Sequence, residues 1–160
     1  MKEIRRGAHP MAWMTWIMML VAQLFFLALA YNRIPTGPNA RVAPVTDFVY
    51  LLAGLAAVAA IASLAIRNTR LIRPAQRGEL VLNTLEGEKR FFNTSVVNWA
   101  LSEASSLFGL VLAMRLHGES VVLPFFLAGI LMTLFHAPRI TPLQPKLDRK
   151  ELIRQRRRRG

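Results

Sequence analysis

The chain of 160 residues contains no cysteine. That absence excludes a disulfide framework and any thiolate metal site. Acidic residues are scarce: nine Asp and Glu stand against 21 Lys and Arg, for a net charge of +12. Histidine occurs only as His9, His117 and His136. None of the three has a second His or a carboxylate three or four residues away, so no metal-binding pattern forms. Paired carboxylates, a phosphate-binding Gly loop and a Ser-His-Asp or Cys-His grouping are missing as well. These absences point away from an enzyme and give no cofactor or metal.

Charge is also nearly absent from four long stretches, with Glu103 and Arg115 the exceptions. Hydrophobic residues make up 53% of the chain, and they gather into Met11–Tyr31, Phe48–Ile66, Thr94–Leu116 and Ser120–Ala137. Each is long enough to cross about 30 Å of hydrocarbon as a helix. A soluble basic protein scatters its charge along the chain, whereas here it is packed between the blocks. The pattern predicts an all-α, four-helix transmembrane bundle in residues 1–137, followed by a basic tail at 138–160.

The basic residues also predict the orientation. With four spans, one side collects eighteen Lys and Arg and the other three. Both termini and the loop 67–93 are therefore expected in the cytoplasm, with the chain in the inner (plasma) membrane. Ala28-Leu29-Ala30 before Tyr31 resembles a signal-peptide cleavage site, but the apolar run before it exceeds a usual h-region. Span 1 is read as retained; cleavage would leave the remaining topology unchanged.

Within the spans, small residues recur at spacing four in the second: Ala53 and Ala57, Gly54, Val58 and Ala62, Ala59 and Ser63. Small side chains let two helix backbones approach closely. Span 2 is thus expected as the central packing helix, with Ala57 and Ser63 at the contact. Pro74 and Gly78 predict an early break in the loop that follows. Asn83-Thr84-Leu85-Glu86 has capping-box spacing, and a helix beginning near Thr84 would run into span 3. Ser120 is the candidate N-cap of span 4, with Pro124 tolerable near that end.

Span 3 divides into faces. At 100° per residue, Asn98, Ser102, Ser105, Ser106, Gly109 and Ala113 share one arc of about 100°. This small, polar face suits tight helix contact. Glu103 lies about 60° beyond its edge, on the side of Val96, Trp99, Leu107 and Leu110. An ionised side chain at a helix centre in the bilayer costs about 2.5–3.5 kcal/mol on insertion scales. Desolvation favours the neutral acid. Arg115, twelve residues on and about 18 Å along the helix, is too far to pair directly. Glu103 is left as a protonated inert group, an acid paired with a cation, a hydrogen-bond partner of Ser106 or Gln23, or a site for a moving proton or ion. The candidate ion or proton site is Glu103 with Ser102, Ser106 and Asn98.

The segment Ala100-Leu-Ser-Glu103-Ala104-Ser-Ser-Leu-Phe108-Gly109-Leu-Val111 resembles the carboxylate helix of the rotary ATPase proteolipid, the subunit that forms the ion-carrying ring. That helix commonly reads Ala-Leu-x-Glu-Ala, followed by an aromatic-Gly-Leu-Val sequence at this spacing. The resemblance implies an ion-binding carboxylate at Glu103, reversibly protonated at a lipid or subunit interface. Span 2, the basic loop and span 3 also resemble that family's hairpin. The departures are an Ala stripe in place of alternating glycines, a loop of about 27 residues in place of a tight turn, and two further spans. In the duplicated four-span form the carboxylate is usually in the fourth helix, and here it is in the third.

The tail ends in Arg156, Arg157, Arg158 and Arg159. No aromatics interleave with them to stack on bases, which disfavours nucleic acid. A topology signal and a contact for anionic lipid headgroups, worth about 1 kcal/mol per residue, fit better. The bilayer is thus the expected partner, and the small-residue faces allow a homo-oligomer or another membrane protein. The most economical function is a small non-enzymatic accessory protein of the membrane, with a proteolipid-like, proton- or ion-handling protein as the alternative.

Overall fold

The computed structural model describes residues 8–34, 43–80, 84–115 and 118–138. The described chain is all-helical. It comprises α1 (Ala8–Tyr31), α2 (Asp47–Arg67), a π-helical turn (Asn68–Ile72), the short α3 (Arg73–Gln76), α4 (Leu85–Met114) and α5 (Glu119–Phe135). Three of the helical runs are long and apolar enough to cross a membrane: Pro10–Tyr31, Asp47–Gln76 and Leu85–Met114. The fourth, α5, has 17 residues, about 26 Å of helix and at the lower edge of a span.

The break predicted at Pro74 does not form. α2 passes through the π turn into α3 as one rod of 30 residues, Asp47–Gln76. Proline has no N–H and crowds the carbonyl one turn back. Here the register widens just before it, and the Arg73 N–H bonds to the Asn68 carbonyl five residues back. The rod stops at Gly78 instead. Its φ of +73° is left-handed; its N–H bonds to Ala75 O at 3.1 Å and that of Glu79 to Pro74 O at 2.9 Å. This is a Schellman ending, which favours glycine.

Two helix starts shift by a residue or two. α4 is capped by Thr84, whose Oγ1 accepts from the Gly87 N–H at 3.1 Å. Ser120 does not cap α5; Gly118 holds the N-cap position, so Pro124 falls inside the helix.

The helices alternate up and down. Ala30, Leu52, Leu112 and Val122 meet in an apolar cluster at one end, and Ala12, Leu71, Phe91 and Trp99 in a second cluster at the other. Between the two lies a layer of buried polar side chains: Gln23, Ser63, Ser102, Ser106 and Thr133. The central helix is α4, which packs on α1, α2 and α5, while α2 scarcely touches α5. This corrects the expectation for span 2. Its Ala53, Gly54, Ala57 and Val58 are exposed, and a Cβ added at Gly54 would meet nothing within 4 Å. The close approach is between α4 and α5. A Cβ at Gly129 would strike Ser106 Oγ and lie 2.9 Å from Ser102 O. One at Gly109 would lie 2.9 Å from the Phe126 ring.

The surface inverts the polarity of the interior. Large apolar side chains point outward from α1, α2 and α5, among them Met18 (68%), Val58 (63%) and Ile61 (67%).

Candidate functional site

The small polar face of α4 is turned wholly inward: Asn98, Ser102, Ser105, Ser106, Gly109 and Ala113 are all buried. Apolar surroundings make every unpaired polar group costly, so these side chains need partners. Two groups of hydrogen bonds supply most of them.

The first group lies at mid-bundle. Gln23 Nε2 donates to Thr133 Oγ1 at 2.6 Å, and Ser106 Oγ donates to Gln23 Oε1 at 3.3 Å. Trp16 Nε1 donates to Thr133 O at 2.8 Å. Gln23 thereby ties α1 to α4 and α5. Nearby, Ser105 Oγ donates to Phe125 O at 2.9 Å and Ser102 Oγ to Asn98 O at 2.9 Å.

The second group sits where α2 and α5 end. Arg67 donates through one terminal nitrogen to Phe135 O at 2.7 Å and to His136 Nδ1 at 3.2 Å. Its guanidinium carbon also lies 5.0 Å from the Phe135 ring centroid. Ser63 Oγ and His136 Nε2 are 2.7 Å apart. Trp99 Nε1 donates to His136 O at 2.9 Å. Arg67 and Trp99 thus cap the last carbonyls of α5, which have no helical partner of their own.

This arrangement limits the chemistry of the Ser63–His136 pair. Arg67 is a donor only, so Nδ1 accepts and the ring proton sits on Nε2. The imidazole then donates to Ser63 Oγ. A histidine that activates a serine needs the opposite tautomer, held by a carboxylate at the far nitrogen. Among the described residues no three of His, Cys, Asp and Glu converge as metal ligands.

Glu103 stands apart from both groups. It is half-buried on the flank of α4 and has no hydrogen-bond or ion-pair partner among the described residues. Ser106 and Gln23, two candidate partners for it, bond to each other instead. Of the residues grouped with Glu103, Ser102, Ser106 and Asn98 lie on the buried face and Glu103 on the outer flank. Of the packing residues, Ser63, Ser105, Gly109 and Ala113 are buried, while Ala57 is exposed. Ala57 lines an apolar crevice of about 310 Å³ between α2, α4 and α5. At the opposite end, Arg115 lies 4.2 Å over the Phe48 ring. His117, the side chain of His9 and Arg156–Arg159 lie outside the described residues.

Sequence reasoning missed the Arg67–His136–Ser63 group. The available signal was the i, i+4 spacing of Ser63 and Arg67 on one helix face, which leaves the matching face of α5 unspecified.

No family model, curated protein or solved structure matches the chain. The resemblance to the rotary ATPase proteolipid therefore stands on residues 100–111 and their setting alone.

Proposed function

We propose that the chain is a small, non-enzymatic accessory protein of the inner membrane, crossing it four times with both termini in the cytoplasm. The observation that carries the reading is the inverted polarity. Apolar side chains cover the outside, while the buried layer of Gln, Ser and Thr is held by hydrogen bonds inside the bundle. Such a bundle suits hydrocarbon, where polar groups must be satisfied internally. The bias of Lys and Arg supports the orientation. Gln23, Ser63, Ser105, Ser106 and Thr133 are engaged in joining helices, and the Ser63–His136 tautomer is wrong for activating a nucleophile. Reporter fusions test the arrangement. Fusions after Gly78 and at the C-terminus should report cytoplasm, and one after Gly37 the opposite side. A periplasmic Gly78 fusion would overturn it.

One observation favours a second reading, in which Glu103 handles a proton or ion in the manner of the proteolipid. The acid is half-buried, without a partner among the described residues, and set on the outer flank of the central helix, where a second subunit or lipid would meet it. Glu103→Gln decides between the two. Lost proton or ion flux with intact assembly supports this reading; unchanged flux and assembly leave the structural one.

A further inference from the structure

The central helix α4 is packed on three sides, by α1, α2 and α5. Its fourth side is bare. α1 and α2 scarcely meet, and the strip of α4 between them carries Val97, Ala100, Leu107, Val111 and Met114, all exposed. Ala100, Leu107 and Met114 recur every seven residues, the repeat that keeps two supercoiled helices in register. Ala100 and Ala104 are small, so a second helix backbone can approach closely there.

Glu103 lies on this strip, one turn before the Ser106 that belongs to the mid-bundle polar layer. Its carboxyl is half-buried and has no partner among the described residues. Thr15, which also faces outward, is satisfied by Met11 O of its own helix at 3.0 Å. At the depth of Glu103 there is no water, and lipid tails offer neither a donor nor an acceptor, so an unbonded carboxyl is costly. The acid therefore calls for a polar group from outside this fold. A protonated carboxyl has one O–H donor and a free acceptor oxygen, which makes it complementary to a copy of itself. Two copies inserted the same way bring their α4 helices together in parallel about a two-fold axis. Glu103, three residues after Ala100 and four before Leu107, holds the second seam position of the seven-residue repeat, where a side chain meets its own copy.

We propose that the chain forms a homodimer through the outward strip of α4, in which the two Glu103 carboxyls hydrogen-bond to each other between Ala100 and Leu107. The inference rests on the membrane reading above. It gives Glu103 a holding role in place of a moving proton.

Single-molecule photobleaching of dye-labelled, full-length protein in liposomes, at decreasing protein-to-lipid ratio, tests it. The parent should pass from dimer to monomer on dilution. Glu103→Leu, apolar and of similar bulk, should raise the dissociation constant about ten-fold, the worth of a polar contact between helices in a bilayer. Glu103→Gln keeps a donor and an acceptor and should pair as the parent does. Cysteine cross-linking reads the geometry without touching Glu103: Leu107→Cys should form a disulfide-linked dimer on oxidation in the membrane, and Val58→Cys on α2 should not. Monomers of the parent at every ratio would overturn the proposal and leave the strip to lipid or to a different membrane protein. Cross-linking at 58 in place of 107, or a Glu103→Leu that dimerises like the parent, would overturn it as well. Recovery of the protein in the soluble fraction without detergent would defeat the membrane reading instead.

Discussion

Two glycine-to-alanine substitutions should move stability in opposite directions. At Gly129 the added Cβ strikes Ser106 Oγ and lies 2.9 Å from Ser102 O and 3.2 Å from Ser106 N. Two of those three atoms are backbone and can yield only if α4 and α5 separate. The third, Ser106 Oγ, can turn away only by leaving Gln23 Oε1. Overpacking of this kind costs about 1–3 kcal/mol, a lost interhelical hydrogen bond in a bilayer about 0.6, and the propensity gain of Ala over Gly returns about 1. Gly129→Ala should therefore lose about 1–2 kcal/mol. At Gly54 nothing lies within 4 Å, so Gly54→Ala should gain up to about 1 kcal/mol from propensity alone. Reversible unfolding by SDS in mixed micelles reads both values. Equal shifts for the two variants, or a Gly129→Ala as stable as the parent, would refute the close contact between α4 and α5.

Further outcomes follow from the same contacts. Gly109→Ala should fall between those two variants, because it meets the Phe126 side chain rather than backbone; the same unfolding titration ranks it. Gln23→Leu removes the group that ties α1 to α4 and α5, and should lower stability by about 1–2 kcal/mol. Trp99→Phe should lose about 1 kcal/mol through the His136 carbonyl it leaves uncapped; both are measured against the parent in micelles. Glu103→Gln should unfold within about 0.5 kcal/mol of the parent, since this half-buried position has no partner to lose among the described residues. A large loss there would reveal a contact to Glu103 within the bundle.

The apolar blocks were readable because run length and charge exclusion can be read in each segment independently. The buried face of α4 was readable too, since the 3.6-residue period alone gathers Asn98, Ser102, Ser105, Ser106 and Gly109. The partner of that face was not. The Ala stripe of span 2 satisfies the same small-residue rule, and spacing within one helix does not say which neighbour it meets. In the folded chain the contact went to α5, through a single glycine at 129, and the stripe was left on a crevice. The end of α2 was misread for a different reason. Pro74 breaks a helix only if the preceding turn keeps its register, and the π turn at Asn68–Ile72 does not. The Arg67–His136–Ser63 group depends on two helix ends meeting, a long-range event that the i, i+4 spacing of Ser63 and Arg67 does not specify.

The most direct test asks whether the apolar side chains face lipid and the polar ones face each other. The lack of cysteine makes single nitroxide labels straightforward to place. Val58→Cys and Ile61→Cys on α2 would carry labels at positions 63% and 67% exposed, and Leu52→Cys one at a position 7% exposed. Electron paramagnetic resonance in liposomes should find the labels at 58 and 61 highly accessible to oxygen and shielded from a water-soluble nickel chelate, with the label at 52 immobile and shielded from both. Ready access of the chelate to positions 58 and 61 would place that face in water and contradict the membrane-embedded bundle.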